Sequence, residues 1–208
     1  MTRNRTLALL AALAIAIVAA IWLWRLADGA TITQGKSGEA GSVQGTGQAL
    51  IGGPFTLTDQ TGKTVTQADY KGKYMLIYFG FTFCPDVCPT ELQVMAGAVS
   101  KLGAKGAEVQ PIFITVDPER DTVEVLATYV KQFDPRLVGL TGTPEQIAQV
   151  AKAYRVFYQK VKDEETSGDY TMDHSSIAYL MGPDGKFLTF FPPGVSPDEM
   201  AAKIATFM

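Results

Sequence analysis

Apolar residues follow two patterns along this chain, a long uninterrupted run near the N-terminus and shorter periodic runs after residue 50. The long run, residues 7–24, contains eighteen residues without a charge. In a helix it would span about 27 Å, close to the thickness of a bilayer core. Because Arg3 and Arg5 precede it, the pattern predicts a single-pass transmembrane helix whose N-terminus stays in the cytoplasm.

A cleaved signal peptide is the alternative interpretation of this segment, with Ala27 and Gly29 as the small residues at the cleavage site. The apolar region of a signal peptide is about 7–15 residues long, whereas this one is longer and ends in the bulky Trp-Leu-Trp-Arg of residues 22–25. The pattern therefore favours an uncleaved N-terminal membrane anchor over residues 1–28. No Arg- and Ser-rich amphipathic leader precedes the run, which favours a bacterial inner membrane with the C-terminal domain in the periplasm.

Residues 29–49 separate this segment from the remainder and are rich in Gly, Ser, Thr and Gln. Such a composition is typical of a flexible linker. We expect the folded domain to occupy residues 50–208. Of the chain's 18 basic and 21 acidic residues, three and one lie in residues 1–28, so the remainder carries a net charge of −5. Nucleic acid binding, which normally requires a basic face, is therefore not expected.

The chain after residue 50 alternates between strand and helix patterns. Strands are predicted at residues 55–58, 74–81, 111–116, 176–181 and 186–191. Helices are predicted at residues 89–102, 122–133 and 143–154 and from Ser196 onward, the last two with capping-box starts. The continuous apolar run at residues 74–81 is typical of a strand buried on both faces. This order predicts an α/β domain with a thioredoxin-like fold, in which right-handed crossovers join parallel strands.

Cys84 and Cys88 are the only cysteines in the chain, and His174 is its only histidine. Two sulfur donors and one imidazole make either three metal ligands or one redox site. The Cys-x-x-x-Cys spacing differs from the Cys-x-x-Cys of thioredoxin-like oxidoreductases, and one cysteine pair cannot supply the four ligands of a structural zinc site. As a soft three-coordinate set these residues suit Cu(I), and a weak additional oxygen ligand would let them accept Cu(II).

The position of the cysteine pair beside a predicted helix favours thiolate chemistry. If Pro89 is the first residue of that helix, Cys88 is its N-cap residue and Cys84 lies in the preceding loop. The unpaired N–H groups and the dipole at a helix N-terminus lower the pKa of a nearby thiol. Asp86 and Asp173, next to the candidate ligands, are candidate acceptors that would orient them through hydrogen bonds.

Two plainer interpretations of these residues stay open. Cysteines outside the cytoplasm tend to form disulfides, so Cys84 and Cys88 could be a structural disulfide, although so short a loop gains little stability. His174 alone could be a surface or helix-capping histidine. A cysteine pair that binds metal outside the cytoplasm also needs a partner that keeps it reduced.

Three blocks of the sequence share one family pattern. Residues 79–92 read Phe-Gly-Phe-Thr-Phe-Cys-Pro-Asp-Val-Cys-Pro-Thr-Glu-Leu, and residues 116–122 read Val-Asp-Pro-Glu-Arg-Asp-Thr. The third block, Asp-His-Ser followed by Tyr-Leu and Gly-Pro-Asp-Gly, lies at residues 173–185. Together they resemble the Sco/SenC family of copper-handling proteins in cytochrome c oxidase assembly, and the resemblance extends from about Gly53 to the C-terminus.

The resemblance implies a membrane-anchored, thioredoxin-like protein that binds one copper ion, as Cu(I) or Cu(II), through Cys84, Cys88 and His174. Its client would be subunit II of cytochrome c oxidase, whose binuclear copper site it metallates or whose cysteines it reduces. A periplasmic thiol reductant or copper donor would be a further partner. A Cys84–Cys88 disulfide would be the inactive, oxidised form of the same copper site.

A thiol enzyme is the main competing function. Residues 88–91, Cys-Pro-Thr-Glu, resemble the segment around the peroxidatic cysteine of a peroxiredoxin, but that family has a threonine where this chain has Pro85. A thiol-disulfide oxidoreductase that reduces the client's copper-ligand cysteines, and a redox or copper sensor, are further alternatives. The sequence favours a metallochaperone over an enzyme, because a redox enzyme has no evident use for the histidine segment.

Overall fold

The computed structural model describes residues 51–162 and 170–208, in which two β-sheets and four α-helices are present. The predicted membrane anchor at residues 1–28 and the predicted linker at residues 29–49 lie outside the described residues and stay predictions. Within the described ranges, no helix combines the length and the apolar character needed to span a bilayer.

Nine strands occur in this part of the chain, and we name them in chain order. They are β1 (Thr56–Asp59), β2 (Thr64–Thr66), β3 (Tyr74–Gly80), β4 (Val109–Thr115), β5 (Val138–Thr141), β6 (Tyr158–Lys162), β7 (Tyr170–His174), β8 (Ala178–Met181) and β9 (Phe187–Phe191). The α-helices of the same ranges are α1 (Val87–Lys101), α2 (Val123–Val130), α3 (Pro144–Ala153) and α4 (Pro197–Ala205).

Seven of these strands form one sheet in the order β2-β1-β5-β4-β3-β8-β9. At its centre β3, β4 and β5 are parallel, whereas the two strands on either side of this core run antiparallel to their neighbours. Every residue of β3 is buried, as expected for a strand that is covered on both faces. The predicted α/β architecture with a parallel core is therefore confirmed.

Helices cover this sheet because their apolar faces have to be buried against it. Helices α1 and α4 pack against each other, α2 packs against β5, and α3 packs against β1. The capping boxes predicted at Thr143 and Ser196 are both present and start α3 and α4. Local sequence signals therefore set where these two helices begin, and the apolar faces of the helices are then buried by packing.

The strand β5 and the hairpin β6–β7 were not predicted. β5 has only four residues and includes Gly139, and β6 is exposed along most of its length. Short or exposed strands lack the apolar alternation from which strands are recognised. His174 lies outside every predicted helix and strand, since the next predicted strand starts at residue 176, whereas in the structure it is the last residue of β7.

Helix α1 begins two residues earlier than predicted. Its first helical residue is Val87 and its N-cap residue is Asp86, so the assignment of Cys88 to the N-cap is wrong. The backbone N–H of Thr90 donates to the Asp86 carbonyl oxygen (3.3 Å), which closes a helical turn around Cys88. Pro89 is tolerated there, because the first N–H groups of a helix have no partner inside it.

Gly80, the last residue of β3, should not tolerate a side chain. A methyl group at Gly80 would lie 2.9 Å from the Cys88 Sγ and 3.0 Å from ring atoms of Tyr78 and Phe113. Gly80→Ala should therefore lower the free energy of unfolding by about 1–3 kcal/mol, the usual cost of overpacking a core. Urea denaturation of the reduced, metal-free protein measures this change.

Gly53→Ala is the matched control, because its added methyl would meet the Ala153 Cβ at an ordinary contact distance of 3.5 Å. It should change the free energy of unfolding by less than about 0.5 kcal/mol. Equal losses in the two variants would contradict the close approach of Cys88 to the end of β3.

Candidate metal centre

Cys84 and Cys88 lie where the chain leaves the centre of the sheet. After β3 ends at Gly80, residues 81–86 form a short loop that leads into α1. Cys88 is completely buried in the first turn of α1, whereas Cys84 is partly exposed in the loop. Both thiols are free, and the backbone N–H of Cys88 donates to the Cys84 Sγ (3.5 Å). The two sulfurs are therefore neighbours without a disulfide between them.

His174 approaches the cysteines from a different element, the two-stranded sheet of β6 and β7. Its Nδ1–H donates to the Ser175 carbonyl oxygen (3.1 Å), since a carbonyl oxygen can only accept. The unprotonated Nε2 then lies 3.5 Å from the Cys88 Sγ. The fold thus brings together the three residues singled out by the sequence, Cys84, Cys88 and His174.

Two aromatic rings hold the imidazole in place. Tyr78 and Phe81 contact the His174 ring edge-on, with centroid distances of 6.2 and 5.8 Å and interplanar angles of 79° and 89°. The Tyr78 hydroxyl also donates a weak hydrogen bond to the Cys88 Sγ (3.9 Å). Neither ring was predicted to belong to the site. The sequence feature that indicates their place in the site is the apolar run at residues 74–81, which contains both rings and leads directly into the cysteine loop.

The two thiols have opposite pKa shifts because they share one proton. The hydrogen bond from the Cys88 thiol lowers the pKa of Cys84 to about 5, against the effect of burial and with help from backbone N–H groups of Asp86, Val87 and Cys88. The same hydrogen bond, together with burial, raises the pKa of Cys88. At neutral pH the pair is therefore a Cys84 thiolate beside a protonated Cys88.

Burial lowers the pKa of His174, although the Ser175 carbonyl oxygen and the charges of Cys84 and Asp173 act in the opposite direction. The imidazole is therefore neutral at neutral pH. Neutral imidazole is the form in which Nε2 can bind a metal ion.

Asp86 and Asp173, the predicted orienting acceptors, are both exposed. Asp86 acts through its backbone, as the N-cap residue of α1 and as a donor to Cys84. Asp173 acts on His174 through its charge, while the acceptor that orients the imidazole is the carbonyl oxygen of Ser175.

The three donors are neighbours that meet at Cys88. In residues 51–162 and 170–208, no group of three or more His, Cys, Asp and Glu side chains has the arrangement needed to hold a metal ion. Cys88 contacts both Cys84 and His174 and is therefore the donor that links the other two.

Asp121, a buried carboxylate, ties the cysteine loop to the neighbouring strand. It accepts hydrogen bonds from the backbone N–H of Thr82 (3.0 Å) and from the hydroxyls of Thr82 and Thr115 (both 2.6 Å). Burial raises the pKa of Asp121, and these hydrogen bonds act against that shift. The block at residues 116–122 drew attention to this residue in the sequence but not to its role.

Because Cys84 and Cys88 share one proton, we expect the two thiols to be alkylated at different rates. In the reduced, metal-free protein Cys84 should react with iodoacetamide as a thiolate, with a midpoint at about pH 5, and buried Cys88 should react far more slowly. Cys88→Ala removes the hydrogen-bond donor and should raise the Cys84 midpoint toward the ordinary thiol range, whereas Cys88→Ser keeps a donor and should raise it less. Mass spectrometry of alkylated peptides over a pH series measures both effects, and faster alkylation of Cys88 than of Cys84 would contradict the assignment.

The chain is similar to known proteins over most of its length. The family model described as SCO1/SenC matches residues 43–208. The mitochondrial SCO1 homolog of Homo sapiens is 53% identical over 165 residues, which cover 78% of this chain and 54% of that protein. The chain therefore spans about half the length of this curated relative.

Solved structures share the fold. ScoI of Bradyrhizobium japonicum with copper bound is 48% identical with a TM-score of 0.70, and the match covers 76% of this chain and 99% of that one. BsSco, described as a member of the Sco family of cytochrome c oxidase assembly proteins with a disulfide switch, is 30% identical with a TM-score of 0.59 over 76% and 92% of the two chains. These likenesses confirm the predicted thioredoxin-like fold. The chain belongs to the SCO1/SenC family, as its three sequence blocks indicate.

Proposed function

We propose that this protein binds one copper ion as cargo through Cys84, Cys88 and His174 and delivers it to the binuclear copper site in subunit II of cytochrome c oxidase. The observation that carries the proposal is the 3.5 Å approach of the His174 Nε2 to the Cys88 Sγ, beside a second free thiol. A structural disulfide needs no imidazole at that place, and a capping histidine would contact backbone carbonyls at a helix end.

The donor set suits copper in both oxidation states. Thiolates are soft ligands that favour Cu(I), and imidazole is suited to Cu(II). Cys84 is already a thiolate and His174 is already neutral, so only Cys88 has to lose a proton when the ion binds. Copper binding at neutral pH therefore releases one proton from the site.

The different exposure of the two cysteines suits a protein that carries copper to a client. Cys88 is completely buried, whereas Cys84 is partly exposed, so a client ligand can reach the copper ion from the Cys84 side. Phe83 and Val87 lie on either side of Cys84 in the chain, and both are exposed. They provide an apolar surface on which a client protein can dock while the ligands are exchanged one at a time.

Family membership supports the cargo and the client. The ScoI relative was solved with copper, and BsSco is described as belonging to a family of cytochrome c oxidase assembly proteins. The proposed location rests on the sequence pattern, in which residues 1–28 would be an anchor in a bacterial inner membrane and residues 50–208 would lie in the periplasm. A copper donor or a thiol reductant in that compartment would complete the cycle.

Reduction of the client's copper-ligand cysteines is a second candidate function, favoured by the low pKa of Cys84. The Cys84 thiolate would attack one sulfur of a client disulfide, form a mixed disulfide and release the other client sulfur as a thiolate. Cys88, after losing its proton, would attack the Cys84 sulfur and release the second client thiolate. The client gains two electrons, and the resulting Cys84–Cys88 disulfide cannot bind copper until a periplasmic thiol reductant restores it. A redox or copper sensor would use the same residues.

Anaerobic copper titration of the reduced protein tests the proposed ligands. We expect the wild type to bind one equivalent of either Cu(I) or Cu(II) at the same site. His174→Ala should keep Cu(I) bound by two thiolates but weaken Cu(II) binding by at least about tenfold, equivalent to about 1.4 kcal/mol. Competition with chromophoric chelators measures both affinities.

Gln159→Ala is the matched control for this titration. Gln159 is exposed on β6 and pairs with Asp173 of β7, so the substitution changes the hairpin without removing a donor. This variant should bind both ions as tightly as the wild type. Equal Cu(II) affinity of the wild type and His174→Ala would show that His174 is not a ligand.

A client assay separates delivery from reduction. Copper-loaded protein should metallate the reduced soluble domain of subunit II, followed by the absorption spectrum of the binuclear copper site. Cys84→Ser should abolish this transfer, because it removes a copper ligand. Delivery would be wrong if the metal-free protein reduces the client's disulfide while the copper-loaded protein transfers no copper.

A further inference from the structure

The turn that follows β4 contacts both halves of the site. On one side, Asp121 accepts the hydrogen bonds from Thr82 at the start of the cysteine loop. On the other side, Asp117 and Arg120 contact the histidine hairpin, by which we mean β6 and β7. The two halves come from chain segments 86 residues apart, as the contact between Cys88 and His174 shows. A single turn therefore contacts both the cysteine loop and the strand that carries His174.

Arg120 and Asp117 hold the first residue of β7. The Arg120 Nη1 donates to the Tyr170 carbonyl oxygen (2.9 Å), and the Tyr170 hydroxyl donates to the Asp117 Oδ1 (2.9 Å). The Arg120 Nε donates to the Asp117 Oδ2, and the Asp117 side chain is almost fully buried. Tyr170 is thus bound through both its backbone and its side chain, at the opposite end of β7 from His174.

The Arg120 guanidinium also contacts aromatic rings from both halves. Its Cζ lies 3.9 Å from the ring centroid of Tyr170 in the histidine hairpin and 4.9 Å from that of Phe83, the neighbour of Cys84. It lies 6.0 Å from the ring of Phe81, which contacts the His174 ring. A guanidinium is suited to this place because its planar fork donates at its edge and stacks on its faces.

The histidine hairpin needs such a tether. It forms a two-stranded sheet separate from the seven-stranded one, and an isolated two-stranded hairpin is at best marginally stable in water. The ion pair of Lys160 with Glu119 also joins it to the turn, but both side chains are exposed, and such pairs contribute little. The partly buried contacts of Arg120 and Asp117 are better placed to hold the hairpin, because they are shielded from water.

We propose that Arg120 is a positioning residue of the copper site, which holds the histidine hairpin against the cysteine loop and so sets the distance between His174 and Cys84. This inference rests on the proposed copper binding for its effect on affinity. The positioning itself is a property of the metal-free protein. Loss of Arg120 leaves both cysteines in place but frees the hairpin that carries the imidazole. Cu(II) binding, which depends on His174, is therefore affected more than Cu(I) binding, which two thiolates support.

Copper binding by Arg120→Met and Arg120→Lys tests the proposal. Arg120→Met should weaken Cu(II) binding by at least about tenfold and change the thiolate-to-Cu(II) charge-transfer band and the Cu(II) hyperfine splitting. Its Cu(I) affinity should fall by less than about threefold. Arg120→Lys keeps the charge without the fork and should restore only part of the Cu(II) affinity.

Lys160→Met is the matched control. It removes a cation that also lies over the Tyr170 ring, at 4.6 Å, and that belongs to the same hairpin. Because the Lys160 side chain is exposed and is paired with Glu119 instead of Asp117, its loss should leave the Cu(II) affinity and spectrum unchanged. An equal effect of Lys160→Met and Arg120→Met would overturn the assignment to Arg120.

Amide hydrogen exchange in the metal-free protein tests the tether without copper. Arg120→Met should raise the exchange rates of the amides at residues 170–174 relative to those of β3, and Tyr170→Phe, which loses only the hydroxyl, should do so to a smaller extent. If Arg120→Met does not fold, the Cu(II) affinity and the amide exchange rates of Arg120→Lys and Tyr170→Phe test the proposal instead. The proposal would be overturned if Arg120→Met showed wild-type amide exchange at β7 together with a wild-type Cu(II) spectrum. If the wild type binds no copper, the proposed function fails, and unchanged exchange in Arg120→Met would overturn the positioning role separately.

Discussion

The parallel pairing of β3 with β4 is the constraint on which the rest of the site depends. Its register joins seven residue pairs along the full length of both strands. Parallel strands end at the same edge of a sheet, so the cysteine loop after β3 and the turn after β4 leave it side by side. The Val116 N–H donates to the Gly80 carbonyl oxygen (2.8 Å) and continues the pairing beyond the last pair of the ladder. Asp121 and Arg120 can reach the cysteine loop for this reason alone.

The unequal burial of Cys84 and Cys88 supports the proposal that one site serves both copper binding and thiol chemistry. Cys88 is packed against the end of β3 and keeps the proton, because its thiol donates a hydrogen bond to the Cys84 sulfur and because a buried thiolate would lack solvation. Cys84, nearer to solvent and surrounded by backbone donors, carries the negative charge. In the proposed function the two sulfurs would either bind a copper ion or, after a two-electron oxidation, form a disulfide, so the two states would exclude each other.

Much of the fold could be predicted because its signals are local. The apolar run that becomes β3 and the capping boxes at Thr143 and Ser196 are each contained within a few residues. The histidine hairpin was missed because β6 is mostly exposed and polar, and its partner β7 pairs with it only in the folded chain. The start of α1 was misplaced by two residues, since Pro89 is acceptable at any of the first helical positions and does not specify which one it occupies.

The sequence by itself determined the chemistry of the donors, two soft sulfurs at Cys84 and Cys88 and one imidazole at His174, and with its three blocks it determined the family. Only the tertiary structure decided which sulfur carries the charge, which nitrogen of His174 faces Cys88, and which side chains hold the two halves together. The reason is physical. A pKa depends on burial and on hydrogen bonds, and both arise when segments far apart in the chain pack against each other. Donor types are properties of residues, whereas their ionisation and spacing are properties of the fold.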